Sequence, residues 1–141
     1  LTTLCIEYCN LKKLPNLCSL GNLKNLKIGY CEQLMSFPNL DSFDNLVSLE
    51  IISCNKIKTL PSLNNVINLN HLNIGLCDKL LSLPSLDSLI NLRILEIWGC
   101  VSLKTLPSLD KLTQLNKLEI VECDSLTELP KLDKLINLKT R

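Results

Sequence analysis

Leucine and isoleucine recur along the chain in one spacing pattern that repeats about every 23 residues. The stretch LRILEIWGCVSLKTLPSL starts at Leu92, and similar stretches start at Leu1, Leu23, Leu46, Leu69 and Leu115. In each stretch the leucine and isoleucine of an L-x-I segment alternate with variable, mostly polar positions. Such a period of two predicts a half-buried β-strand. The pattern L-x-x-L-x-I-x-x-C-x-x-L-x-x-L-P-x-L therefore predicts one strand per repeat.

The repeats account for the whole chain of 141 residues. All six prolines share one position of the repeat, and six of the eight cysteines share another. We predict a single array with repeats at 1–22, 23–45, 46–68, 69–91, 92–114 and 115–137 and a partial seventh at 138–141. Because the chain begins with Leu1 and not with methionine, we interpret it as a fragment of a longer protein.

The pattern resembles the leucine-rich repeat, L-x-x-L-x-L-x-x-N/C-x-L. The resemblance implies an α/β solenoid, a right-handed coil with a parallel β-sheet on its concave face and mostly irregular or 3₁₀ convex segments. A proline in every return segment disfavours a long convex helix. We expect an extended stretch around each proline, followed by one helical or 3₁₀ turn, for example at 87–90 or 110–113. Phe37, Phe43 and Val66 replace leucines of the pattern and are predicted to lie in the core.

The regular spacing of the cysteines argues against a disulfide framework. At this repeat position the side chain is expected to point inward and to bond to backbone groups, as a buried thiol can. No C-x-x-C pair suggests a zinc site. Free thiols favour a reducing, intracellular compartment.

Outward strand positions are the candidates for partner binding, because the inward positions form the core. Trp98 holds such a position. It is interpreted either as the centre of a partner-binding patch or as a cover for Gly75 and Val121. Tyr8 and Tyr30, on adjacent repeats, are predicted to stack. The predicted partner-binding residues on the concave face are Trp98, Ile94, Glu96, Glu119, Val121, Ile52, His71, Asn73 and Glu50.

Catalytic chemistry finds little support in the sequence. His71 is predicted to point outward and Cys77 inward, so they cannot form a nucleophile pair. Glu96 and Glu119 fall on adjacent strands, where a like-charged pair could raise one pKa, but the nearby Lys117 indicates an ordinary mixed-charge surface. No phosphate-binding or hydrolase motif occurs. We expect no enzyme activity, no cofactor, no metal and no small-molecule substrate.

The charge balance also limits the partners. Fifteen basic and fourteen acidic residues give a net charge of +1, without the basic excess typical of nucleic-acid binding. No apolar run is long enough to span a membrane. We therefore expect a protein ligand, and neither a nucleic acid nor a membrane.

Repeats such as LNKLEIVECDSLTELPKL are similar to the C-terminal repeats of plant nucleotide-binding leucine-rich repeat immune receptors. That resemblance implies a cytoplasmic module that senses a pathogen effector or a host protein. Two alternatives remain open, a leucine-rich repeat substrate adaptor of the F-box type and a secreted or surface adhesive protein.

Overall fold

Six parallel strands form one sheet in which the strand order follows the chain. A computed structural model describes residues 1–139, and the predicted residues 140 and 141 of the partial seventh repeat lie outside the described part. Each strand has five residues and neighbours the strand of the next repeat. The strands are β1 (Thr3–Glu7), β2 (Asn25–Gly29), β3 (Ser48–Ile52), β4 (His71–Gly75), β5 (Ile94–Trp98) and β6 (Lys117–Val121).

The strands pair so that equal positions of successive repeats lie side by side. Leu26 lies beside Leu49, and Ile28 beside Ile51, and the same partnership recurs in every pair of strands. Since side chains alternate between the two faces of a strand, all the strand leucines and isoleucines fall on one face. The predicted solenoid with a parallel sheet is confirmed.

The core between the coils is entirely apolar. No polar or charged side chain within residues 1–139 is buried. Phe43 and Val66 are fully buried and Phe37 is 9 % exposed, which confirms all three as core residues. A buried leucine stabilises the fold by about 1.5–3 kcal/mol, and here each one is covered by the coils on either side.

The repeated cysteine links the end of each strand to the neighbouring coil. The Sγ of Cys54 donates to the carbonyl of Ile52, two residues earlier, at 3.7 Å. It also lies 3.9 Å from the carbonyl of Ile28 in the preceding repeat. Cys31, Cys77, Cys100 and Cys123 make the same two contacts. The inward thiol bonded to backbone carbonyls is thus confirmed for these five cysteines, whereas the sixth, Cys9, accepts a bond from the N–H of Leu11 at 3.3 Å.

Burial also makes the thiol of Cys54 a poor nucleophile. It raises the pKa of Cys54 to about 11. A thiol with such a pKa stays protonated at neutral pH, and only the thiolate is reactive.

A left-handed backbone residue precedes each cysteine of the ladder. Gly99 has φ of 66°, and five residues with side chains share its position at φ between 53° and 57°. These five are Tyr8, Tyr30, Ser53, Leu76 and Glu122. Their backbone N–H groups, except that of Glu122, donate to the last strand residue of the next repeat. The left-handed residue then turns the chain so that the cysteine enters the core.

The return segments contain turns and no helix within residues 1–139. After the proline, a serine or asparagine side chain accepts a bond from the backbone N–H two residues on, as Ser85 does from Asp87 at 3.2 Å. Where one helical or 3₁₀ turn was expected at 87–90, Leu89 N–H donates to Leu86 and Leu92 N–H to Leu89. Each of these bonds joins residues three apart, as in a 3₁₀ helix, but the intervening residues do not continue the series. No described helix is long and apolar enough to cross a membrane.

An asparagine ladder ties successive coils together just before the strands. Asn91 Nδ2 donates to the carbonyl of Ile67 in the preceding coil at 3.1 Å. The same bond is made by Asn45, Asn68 and Asn137.

Replacing Gly99 by alanine tests the cost of the left-handed position. We expect Gly99→Ala to lower the free energy of unfolding by about 1–2 kcal/mol, because a Cβ disfavours this backbone conformation. The new Cβ would also lie 2.7 Å from a Leu76 methyl. Chemical denaturation followed by circular dichroism measures the loss.

Gly21→Ala is the matched control. Gly21 lies outside the left-handed region and an added Cβ would come no closer than 3.5 Å to Ser42. It should lose no stability. An equal loss in both variants would show that backbone conformation is not the cause.

Candidate functional site: the concave face of the sheet

The concave face consists of the outward side chains of the six strands. In β3 to β5 the leucine and isoleucine between these positions are buried, so each strand presents three residues to this side. The triplets differ from strand to strand, for example Thr3, Cys5 and Glu7 on β1 against Ile94, Glu96 and Trp98 on β5. The face is therefore built on a constant core with variable outward residues.

Trp98 lies flat across the neighbouring strand. An added Cβ at Gly75 would fall 2.2 Å from the indole Cε2, so the ring occupies the space that a side chain would fill. The indole Nε1–H donates to Oδ1 of Asn73 at 2.7 Å. The residue is half-buried, not freely exposed. The interpretation in which it covers Gly75 describes its packing, and its role towards a partner stays a prediction.

Ile52 was predicted as a partner-binding residue, but it is only 5 % exposed. It lies in register with Gly75, the residue that the indole of Trp98 covers. On its other side it lies in register with Gly29. Because it is buried, Ile52 offers a partner little contact area of its own.

His71, Glu96 and Lys117 form a polar chain across three strands. His71 Nε2 lies 2.6 Å from Glu96 Oε1, and Lys117 Nζ lies 3.3 Å from Glu96 Oε2. An ionised carboxylate can only accept hydrogen bonds, so Nε2 of His71 carries the proton in this contact. Lys117 also approaches Glu119, at 3.8 Å. Each of these side chains limits the rotation of the next.

The carboxyl of Glu96 is kept ionised. Burial opposes its ionisation, but the hydrogen bonds from His71 and Lys117 and their charges outweigh burial and lower the pKa of Glu96 below its ordinary value. The possibility that Glu119 raises this pKa is thereby excluded, because Lys117 sits between the two carboxylates. The pair is not arranged as an acid and a base.

The remaining predicted residues border this network. Val121 is 42 % exposed, whereas Ile94 and Glu50 are half-buried. On the side of β1 to β3 a groove of about 240 Å³ runs between Thr3, Asn25, Ser48 and their neighbours. A larger cavity of about 670 Å³ lies at the first two return segments, beside Phe37 and Cys18, away from the concave face.

The two tyrosines stack as predicted. The ring centroids of Tyr8 and Tyr30 are 4.9 Å apart and the planes differ by 7°. Tyr8 remains 74 % exposed. Their left-handed backbone places them at the end of the strands, at the rim of the concave face.

Within residues 1–139 the structure contains no group of three or more histidine, cysteine or acidic side chains that could hold a metal ion. His71 pairs with Glu96, and Cys77 is buried against the backbone of its own turn.

Comparison with known proteins identifies the fold. No family model and no curated protein matches the chain. Among solved structures, the leucine-rich repeat domain of the type III effector XopL matches over 99 % of this chain and 68 % of its own, with a TM-score of 0.55 and 22 % identity. The fold is that of a leucine-rich repeat solenoid. At this identity the likeness concerns the fold alone.

Sequence reasoning missed how the outward residues of this leucine-rich repeat sheet combine. It treated Asn73 and His71 as separate candidates, although each bonds to a residue of β5. The strand register could have predicted these contacts, since Asn73 lies beside Glu96 and Gly75 beside Trp98. A glycine beside a tryptophan leaves room for the ring to lie down.

Gly75→Ala tests the packing of the indole. We expect the new methyl group to displace the ring, break its bond to Asn73 and cost about 1–3 kcal/mol, as overpacking does. Trp98 is the only tryptophan, so its fluorescence emission should shift to longer wavelength.

Gly29→Ala is the control at the same position of β2, where an added Cβ would meet nothing closer than 3.7 Å. It should leave both emission and stability unchanged. Unaltered emission in Gly75→Ala would contradict the described packing.

Proposed function

We propose that the chain is a protein-recognition module that binds its ligand on the concave face. The observation that carries the proposal is the linked set of outward side chains on β4 to β6. Asn73 holds Trp98, and Glu96 holds both His71 and Lys117. Side chains that are already ordered lose less entropy on binding, and such pre-organisation raises affinity.

A solenoid also separates folding from recognition. The inward leucines and isoleucines form the core, so the outward triplets can vary without loss of the fold. A ligand that crosses several strands meets a different set of side chains at each one. This arrangement suits a protein ligand better than a small substrate, for which the described concave face offers only a shallow groove.

The finer proposal is that the module is the ligand-sensing region of an intracellular plant immune receptor. It is supported by the similarity of the repeats to those of plant nucleotide-binding leucine-rich repeat receptors. On this proposal the protein is cytoplasmic, has no enzyme activity of its own, and binds a pathogen effector or a host protein.

A charge placed on the concave face should weaken the binding of a ligand. Ligands are first selected on the immobilised chain from a randomised dodecapeptide display library and a plant cDNA display library. For these ligands Ile94→Arg, on β5, should weaken binding at least about 10-fold, which corresponds to about 1.4 kcal/mol. Biolayer interferometry measures the affinities.

Ile90→Arg makes the same change on the convex side of the same repeat, where Ile90 is 55 % exposed. It should alter affinity less than about 2-fold, in keeping with a neutral surface change. Ligands that lose affinity for Ile90→Arg and not for Ile94→Arg would place recognition on the convex side and refute the proposal.

The receptor assignment is tested by sequencing the full transcript that encodes the chain. We expect a G-x-x-x-x-G-K-[ST] motif upstream, between a predicted strand and a helix, as phosphate binding in a nucleotide-binding module requires. A secretory signal or a cysteine-rich cap would exclude the intracellular receptor.

A further inference from the structure

The concave face is acidic although the whole chain is not. Its outward strand positions hold four glutamates and two lysines, whereas the chain as a whole carries a net charge of +1. The glutamates of this face therefore outnumber its lysines by two. Its charged residues are Glu7, Glu50, Glu96, Glu119, Lys27 and Lys117.

Both lysines of this face are already engaged. Lys27 lies 3.9 Å from Glu7, and Lys117 contacts Glu96 and Glu119 at 3.3 and 3.8 Å. Glu50 makes no ion pair or side-chain hydrogen bond with any described residue. Glu50 is thus unpaired and Glu119 shares a single lysine with Glu96, so an excess of negative charge lies on both sides of Trp98.

The indole presents one face to solvent in a fixed orientation. Its other face covers Gly75, and the bond from Nε1 to Asn73 prevents the ring from turning. The face of an indole attracts cations because of its quadrupole, and tryptophan is the strongest such site among the side chains. Strand spacing and rise place Glu50 and Glu119 on the order of 10 Å from the ring, which is about the rise of three residues in an extended segment.

We propose that the concave face binds a basic segment of a partner protein, with an arginine or lysine side chain over the indole of Trp98. Further basic side chains of the same segment lie against Glu50 and Glu119. The charge complementarity identifies the partner as cationic, and the ring selects the position of one cation. This inference rests on the proposed function, because it requires the concave face to be the recognition surface.

The probes are four synthetic peptides that differ in one residue type, (Gly-Ser-Arg)₄, (Gly-Ser-Lys)₄, (Gly-Ser-Ala)₄ and (Gly-Ser-Glu)₄, each with an uncharged dye. Fluorescence anisotropy at about 150 mM salt, where the Debye length is about 8 Å, measures their binding. The arginine and lysine peptides should bind at least about 10-fold more tightly than the other two. They should also shift the single indole N–H signal in a ¹H–¹⁵N spectrum.

Two variants locate the site. Glu50→Gln should weaken the arginine peptide about 2- to 5-fold, whereas Glu128→Gln, the same change at an exposed glutamate of a return segment, should leave it within about 1.5-fold. Trp98→Leu should weaken it about 3- to 10-fold, and its circular dichroism spectrum checks that the sheet is retained.

Equal losses in Glu50→Gln and Glu128→Gln, or an unmoved indole signal, would overturn the inference. The display selection separates it from the proposed function. Selected ligands that depend on Ile94 but contain no arginine or lysine would refute the basic partner and leave the recognition module standing. If no selected ligand loses affinity for Ile94→Arg, both proposals fail.

Discussion

The structure depends on one constraint, which is that no coil can bury its own leucines. Each coil is a single chain thickness, so the apolar side of a strand and its return is covered only by the coils on either side. This requires equal positions to lie side by side, and the nearly constant repeat length provides that register. Lys117 faces Ile94 and Leu118 faces Leu95 because the sequence advances 23 residues between them. A core without a buried polar side chain follows from this stacking.

The same constraint leaves the outward side chains of the concave face free to vary. Backbone hydrogen bonds between strands do not depend on the outward side chains, so these residues are available for interactions with each other and with a ligand. On β4 to β6 they interact with each other first, through Asn73 with Trp98 and through Glu96 with His71 and Lys117. On β1 to β3 the outward residues also pair, but a groove runs between them. One sheet thus combines a half that carries the indole and a half that is open.

Much of this architecture was predictable because it is periodic. The strands, the burial of Phe43 and the stacking of Tyr8 on Tyr30 follow from position within the repeat alone. The left-handed residues were not predictable, because only Gly99 among the six carries the usual sequence signal, and the fold imposes the conformation on the other five. The half-buried indole of Trp98 depends on the glycine that lies beside it on β4. Pairwise packing of this kind is a property of neighbouring repeats and not of the repeat pattern.

The asparagine ladder has a consequence for the shape of the array. On the sheet side the spacing between coils is set by backbone hydrogen bonds at about 4.8 Å. Just before the strands, amides such as that of Asn91, which reaches the carbonyl of Ile67, also tie neighbouring coils together. The return segments carry fewer such links, among them the backbone bonds from Met35, Leu81 and Lys104 to the preceding coil. Coils that are tied closely along one side and loosely along the other fan out, so the ladder contributes to the arc along which the outward side chains are laid out.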